Sequence, residues 1–243
     1  MQAEALRLFC LPYSGASAMV YARWRRTLPA WVEVCPLELP GRGRRFNEAL
    51  HTDIPALAVQ LAGELSGQLD RPFVVFGHSL GALVAFELAH ALRGQGAPGP
   101  CALLVSGAPA PAQRQYHTDL QTAQSDAQLL ARLRELGGTQ EAVFADAEML
   151  QLTLPILRAD FLMCGGYRYN RRPGLACPIH VFGGKHDRVS VAALSAWQAE
   201  TCAGFSLEMF EGDHFFINDH EPHLLARIVE HLRPVGSMRP VTA

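Results

Sequence analysis

The chain has 243 residues, 49% of them hydrophobic and 18% charged, with a formal net charge of −2. That composition excludes a disordered chain, and the near-balanced charge leaves no basic field to hold a nucleic acid. At this length one core buries roughly 70–75% of the unfolded surface, so no disulfide or structural metal is required.

Leu6–Leu11 reads as a strand, stopped by Pro12 and followed by the small-residue turn Ser14-Gly15-Ala16-Ser17. Arg7, this run and Ala16-Ser17-Ala18 imitate a signal peptide with its cleavage site. Pro12 to Gly15 break the run after about five residues, however, short of the ~7–15 of a secretory core. No run reaches the ~18 apolar residues of a membrane span. A cytoplasmic protein with no membrane partner is expected.

Trp31–Leu37 is a second strand. A helix should start near Ile54, capped by Thr52 or Asp53 with Pro55 in its first turn, and Leu57, Leu61, Leu65 and Leu69 line one face. Phe73–Phe76 reads as a buried strand, and Ser79–Leu92 as the next helix, ended by Gly94 and Gly96. Strands at 101–105 and 179–182, a helix at 191–202, the strand Phe205–Phe210 and a last helix over Pro222–Leu232 follow. Alternation of this kind predicts an α/β fold with a mostly parallel central sheet flanked by helices.

Residues 112–170 break the alternation. Leu129, Leu130, Leu133 and Leu136, then Leu150, Leu154 and Leu157, predict two or three helices there, because so long a gap is seldom structureless. The whole chain, 1–243, reads as one domain, with this stretch inserted over the sheet edge either as extra helical packing or as a lid over a site. Cys10, Cys35, Cys101, Cys164, Cys177 and Cys202 show no C-x-x-C spacing. They signal neither a zinc site nor a redox pair, and are expected as small apolar core residues in a reducing compartment. No metal or cofactor is expected.

Gly77-His78-Ser79-Leu80-Gly81 is the one G-x-S-x-G of the chain, with an apolar strand running in and a helix-period segment running out. That setting is a nucleophile elbow, in which glycines relieve a sharp turn and the serine hydroxyl stands free at a helix N-terminus. The Leu80 amide is then one donor for a developing oxyanion. A serine needs a base, and the base an orienting carboxylate, in the chain order Ser, Asp, His. Asp187, in Gly183-Gly184-Lys185-His186-Asp187, and His214, in Gly212-Asp213-His214-Phe215-Phe216, fall on successive strand-end loops. His78, His186, His220 and His223 are rival histidines, Asp187 is also a plausible turn residue, and Asp213 a plausible cap. His78 is expected to pack beneath the turn. The second oxyanion amide should come from the loop after the first strand, Ser14 first and Tyr13 next.

The chain resembles the type II thioesterases, the stand-alone editing hydrolases of nonribosomal peptide and polyketide synthases. Five blocks carry the likeness: Leu11-Pro12-Tyr13-Ser14-Gly15, Leu39-Pro40-Gly41-Arg42-Gly43-Arg44-Arg45, Gly77–Gly81, Leu157-Arg158-Ala159-Asp160 with Tyr167-Arg168-Tyr169, and Gly212–Phe216. The first, second and fourth are not general to α/β-hydrolases. The resemblance implies an α/β-hydrolase fold with a lid at 112–170 and a triad of Ser79, Asp187 and His214. It further implies hydrolysis of acyl thioesters from the phosphopantetheine arm of carrier proteins, in siderophore or antibiotic biosynthesis, with small acyl thioesters as further substrates. Two departures are noted: an early strand of relatives is expected to be short or absent, and Ser14-Gly15-Ala16 replaces a more glycine-rich run. Arg42, Arg44 and Arg45 read either as a solvated loop or as a docking patch for an acidic carrier. The competing functions are a carboxylic ester hydrolase of the lipase type and a non-catalytic binding module on the same scaffold.

Overall fold

Along each strand, successive side chains feed two different apolar cores. Phe9, Leu11, Phe73, Val75, Leu103, Val105, Ile179 and Val181 pack on one face, and Leu6, Leu8, Cys10, Val74, Phe76, Leu104 and Phe182 on the other. This period of two, with both faces buried, is the pattern of a sheet covered by helices on each side. The computed structural model describes residues 6–114, 125–136 and 147–236.

The strands are β1 (Leu6–Leu11), β2 (Val32–Pro36), β3 (Phe73–His78), β4 (Ala102–Ser106), β5 (Ile179–Gly184) and β6 (Phe205–Phe210). All pair in parallel, in the order β2-β1-β3-β4-β5-β6. The chain leaves β1 toward β2 at one edge and returns on the opposite side of β1 as β3. The connections after β1 and β3 therefore diverge, opening a crevice at the strands' carboxyl ends where α/β sheets bind ligands.

The helices are α1 (Trp24–Thr27), α2 (Ile54–Leu65), α3 (Leu80–Gly94), α4 (Asp126–Leu136), α5 (Ala147–Gly166), α6 (Val191–Ser195), α7 (Phe216–Asp219) and α8 (Glu221–Gly236). Asp53 caps α2, its Oδ1 accepting the Ala56 amide at 2.7 Å, and Pro55 sits in the first turn. Leu57, Leu61 and Leu65 turn inward with α3 against the first face, and Leu69 is buried just beyond the helix. The amphipathic α8 covers the second face through Leu224, Leu225, Ile228 and Leu232, beside Tyr21 and Trp24.

Two expectations are corrected. The 191–202 helix is only α6, continuing as a tighter 3-10 turn over Ala196–Glu200 that seats Trp197, whose indole donates to the Ala108 carbonyl at 2.9 Å. The last helix, expected over Pro222–Leu232, lies within α8, with the short α7 before it. Only Cys10 and Cys177 are buried; Cys35 lies on the edge strand, Cys101 just before β4, Cys164 near the end of α5 and Cys202 on an exposed turn, and all six are free.

Within 112–170, α4 and α5 are seen, joined by a small apolar cluster of Leu129, Leu157 and Phe161. The early strand expected to be short, and the stretches 115–124 and 137–146, lie outside the described residues. Among the described residues no helix is long and apolar enough to cross a membrane.

Candidate active site

The turn from β3 into α3 is forced by close backbone approach. A Cβ on Gly77 would lie 2.6 Å from the Ala82 nitrogen, and one on Gly81 would lie 2.8 Å from the Pro12 carbonyl oxygen. Glycine at both positions lets α3 start directly over β3 and against the end of β1. Between them Ser79 takes φ 55°, ψ −116°, the one positive φ outside glycine among the described residues. Such a conformation is held only when its surroundings over-determine it. Here the Ser79 amide donates to the Ser106 carbonyl at 2.8 Å, and the Ser79 carbonyl accepts the Ala82 amide at 3.1 Å.

The loops after β5 and β6 are tied to each other. Lys185 and His186 amides donate to the carbonyls of Phe210 and Gly212, at 2.8 and 3.0 Å. This pairing sets Asp187 beside His214. His214 Nδ1 lies 2.8 Å from Asp187 Oδ2, and His214 Nε2 lies 3.0 Å from Ser79 Oγ. The Asp187 side chain is 4% exposed and that of His214 11% exposed. The structure thus brings together the three residues singled out by sequence, as a hydrogen-bonded relay from serine to imidazole to carboxylate. Shielded from water, a carboxylate in this position fixes the imidazole tautomer and favours the imidazolium once it forms.

The rival histidines stand elsewhere. His186 is exposed, and His223 points to Glu208 at 3.9 Å with a 62% exposed side chain. His220 is half-buried and its amide donates to the Phe216 carbonyl at the end of α7. His78 is fully buried behind the site, its ring 4.9 Å from that of His214 and its Nδ1 2.9 Å from Ser106 Oγ. Burial, with the His214 imidazole as a neighbour, pushes the His78 pKa well below the usual histidine range, so this ring stays neutral. Tyr13 packs edge-on against His78 and Phe215, closing an aromatic wall around His214. Asp213 does not cap α8; its Oδ1 accepts the Phe215 amide at 2.9 Å.

Of the loop after β1, the Gly15 amide is bound to Asp160 Oδ2 at 2.8 Å and the Ala16 amide to the Tyr13 carbonyl at 3.0 Å. The Tyr13 and Ser14 amides meet no acceptor among the described residues. Ser14 is half-buried, and Leu80 is the first residue of α3, where amides have no partner within the helix.

The thioesterase domain model matches residues 6–232. The chain belongs to the thioesterase family. It is a hydrolase acting on thioester bonds, as the resemblance implied. The gramicidin S biosynthesis protein GrsT of Aneurinibacillus migulanus is 40% identical over 238 residues, 96% of this chain and 91% of that protein. Among solved structures, the type II thioesterase BorB of the borrelidin cluster is 39% identical with a TM-score of 0.86, covering 94% of this chain and 93% of its own. RedJ, a thioesterase of the prodiginine pathway in Streptomyces coelicolor, is 36% identical with a TM-score of 0.86, covering 92% and 89%.

In this thioesterase two arginines of the loop, Arg42 and Arg45, are fastened internally, while Arg44 is exposed. Arg42 is 2% exposed and clamps Asp160 with both arms, and Arg45 is held by Glu48 and Glu64. Arg42 became an internal fastening because its carboxylate partner, Asp160, comes from a segment 118 residues away. A second fastening went unread in the sequence. Glu87 on α3 is buried, takes the Tyr167 hydroxyl at 2.6 Å and pairs with Arg172 at 2.5 Å, anchoring the chain just beyond α5. The available signal was a carboxylate on an otherwise apolar helix, which is seldom buried without a partner.

Proposed function

We propose that this thioesterase works through an acyl-enzyme on Ser79. Ser79 Oγ attacks the thioester carbonyl carbon while His214 Nε2 takes its proton, and Asp187 holds the resulting imidazolium. The Leu80 amide and an amide of the 13–16 loop, Ser14 first, stabilise the oxyanion. Collapse of the tetrahedral species breaks the C–S bond, and the thiol leaves with the proton from His214. Water, deprotonated by His214, then repeats the attack and releases the acid and free Ser79. A thiol of pKa about 8.5 needs little help to leave, so the site's task is nucleophile activation and oxyanion binding.

The observation that carries this reading is the relay itself, 3.0 and 2.8 Å through His214, on the strained turn at Ser79. The substrates we infer are acyl groups on the phosphopantetheine arm of carrier proteins, cleared from nonribosomal peptide or polyketide assembly lines, with small acyl thioesters as lesser substrates. The biosynthetic relatives support this, as do the motifs outside the triad. The chain then acts as one domain in the cytoplasm, where its six free thiols stay reduced. On this reading α4 and α5 form a lid, and nucleic acid is not a partner.

The test compares hydrolysis of an acyl-carrier protein, the matching acyl-coenzyme A and an aryl ester of the same acid, for wild type and Ser79→Ala. The proposal expects the highest kcat/KM on the carrier and loss of nearly all turnover in the variant. A preference for the aryl ester would return the ester hydrolase reading, and a variant within tenfold of wild type would refute the Ser79 assignment.

A further inference from the structure

Three segments remote in sequence converge on one carboxylate behind the active-site loop. Asp160, on α5, is 0% exposed. Its Oδ1 receives Arg42 Nη2 at 2.6 Å, and its Oδ2 receives both Arg42 Nη1 and the Gly15 amide at 2.8 Å. Arg42 Nη1 also reaches the Ala16 carbonyl at 3.3 Å. Gly15 sits at φ +78°, and Leu157 of α5 leaves no room above it: a Cβ there would lie 2.7 Å from Leu157 Cδ2.

A buried ion pair adds little net stability over apolar side chains of the same volume. What this one does is select which amides of the loop remain unused. Asp160 consumes the Gly15 amide and the Tyr13 carbonyl consumes that of Ala16, leaving Tyr13 and Ser14 as the donors without an acceptor among the described residues. The same loop abuts the first turn of α3, because Gly81 packs against the Leu11 and Pro12 carbonyls. Both features bear on where an oxyanion over Ser79 would be met.

We propose that Arg42 and Asp160 are positioning residues for thioester hydrolysis: together they set the 13–16 loop so that its unused amides face the oxyanion, and bind that loop to the lid helix α5. The inference rests on the Ser79 acyl-enzyme reading. Placement of the oxyanion donors and placement of the lid thereby depend on one contact.

The decisive variant replaces both partners, Arg42→Met with Asp160→Leu, since an apolar pair can fill the space and keep the fold while removing the acceptor for Gly15. Asp160→Asn, which keeps one oxygen for Gly15, is the milder companion. Turnover of a short acyl-N-acetylcysteamine thioester is measured with inhibition by the matching trifluoromethyl ketone, which forms a tetrahedral adduct. Displaced oxyanion donors cost about tenfold to hundredfold in kcat. The double variant is expected to lose that much with KM within about threefold, and its ketone affinity is expected to fall by the same factor. Asp160→Asn should fall between it and wild type. Unchanged kcat in either folded variant, or a lowered kcat with unchanged ketone affinity, would overturn the proposal. Turnover retained by Ser79→Ala would instead overturn the acyl-enzyme reading beneath it.

Discussion

Replacing Ser79 by glycine should make the protein more stable than replacing it by alanine, although both variants lose turnover. Ser79 is held at φ 55°, ψ −116°, outside the regions open to residues with a Cβ. Strain of this kind costs about 1–3 kcal/mol, and alanine keeps all of it while glycine releases it. Glycine returns roughly 0.5–1 kcal/mol of that gain through the greater freedom of the unfolded chain. The hydrogen bond from Ser79 Oγ to His214 is lost in both, so it cancels in the comparison. The difference is about 1 kcal/mol in favour of glycine, or about 2–4 °C in Tm for a chain of this size. Urea unfolding and calorimetry on the two purified variants measure it directly. Equal stability, or an alanine variant that is the more stable, would show that the turn is unstrained and remove the backbone argument for a nucleophile elbow.

Gly81→Ala drives a Cβ into the Leu11 and Pro12 carbonyls, so it should destabilise by more than about 2 kcal/mol and lower kcat; wild-type unfolding midpoints would contradict the close approach. Stability should fall as the pH drops below about 6.5, because the unfolded chain protonates His78 and the folded chain does not. His78→Gln should flatten that fall by about 1 kcal/mol per pH unit, read from urea unfolding between about pH 7 and about pH 5; identical slopes would refute a neutral buried ring. Glu87→Ala strands Arg172 and the Tyr167 hydroxyl, so a loss of about 2–4 kcal/mol is expected, and one below about 1 kcal/mol would mean the anchor is dispensable.

What could be read from sequence was what local chemistry dictates. The elbow is legible because its glycines answer to contacts within a few residues, and the strands because both faces of a covered sheet demand apolar runs. Asp187 and His214 were legible through order and loop position, since strand ends in such a sheet deliver side chains to one edge. Arg42 and Asp160 were not, although both lie in the quoted motifs. A buried ion pair is set by two segments 118 residues apart, and an arginine-rich loop looks the same whether solvated or clamped. The split of the 191–202 helix followed from seating Trp197, a tertiary demand that periodicity does not carry. The same holds for the half-exposed cysteines, whose apolar character says nothing of edge or turn position.

The central claim is that the acyl group passes through Ser79. Wild-type enzyme mixed with an acyl thioester, quenched in acid within the first turnover and mapped by peptide mass spectrometry, tests it most directly. The account predicts the acyl mass on the peptide carrying Ser79, and a longer-lived adduct at the same residue in His214→Ala if acylation still occurs. Turnover with no adduct at Ser79, or with the acyl group on another side chain, would contradict it.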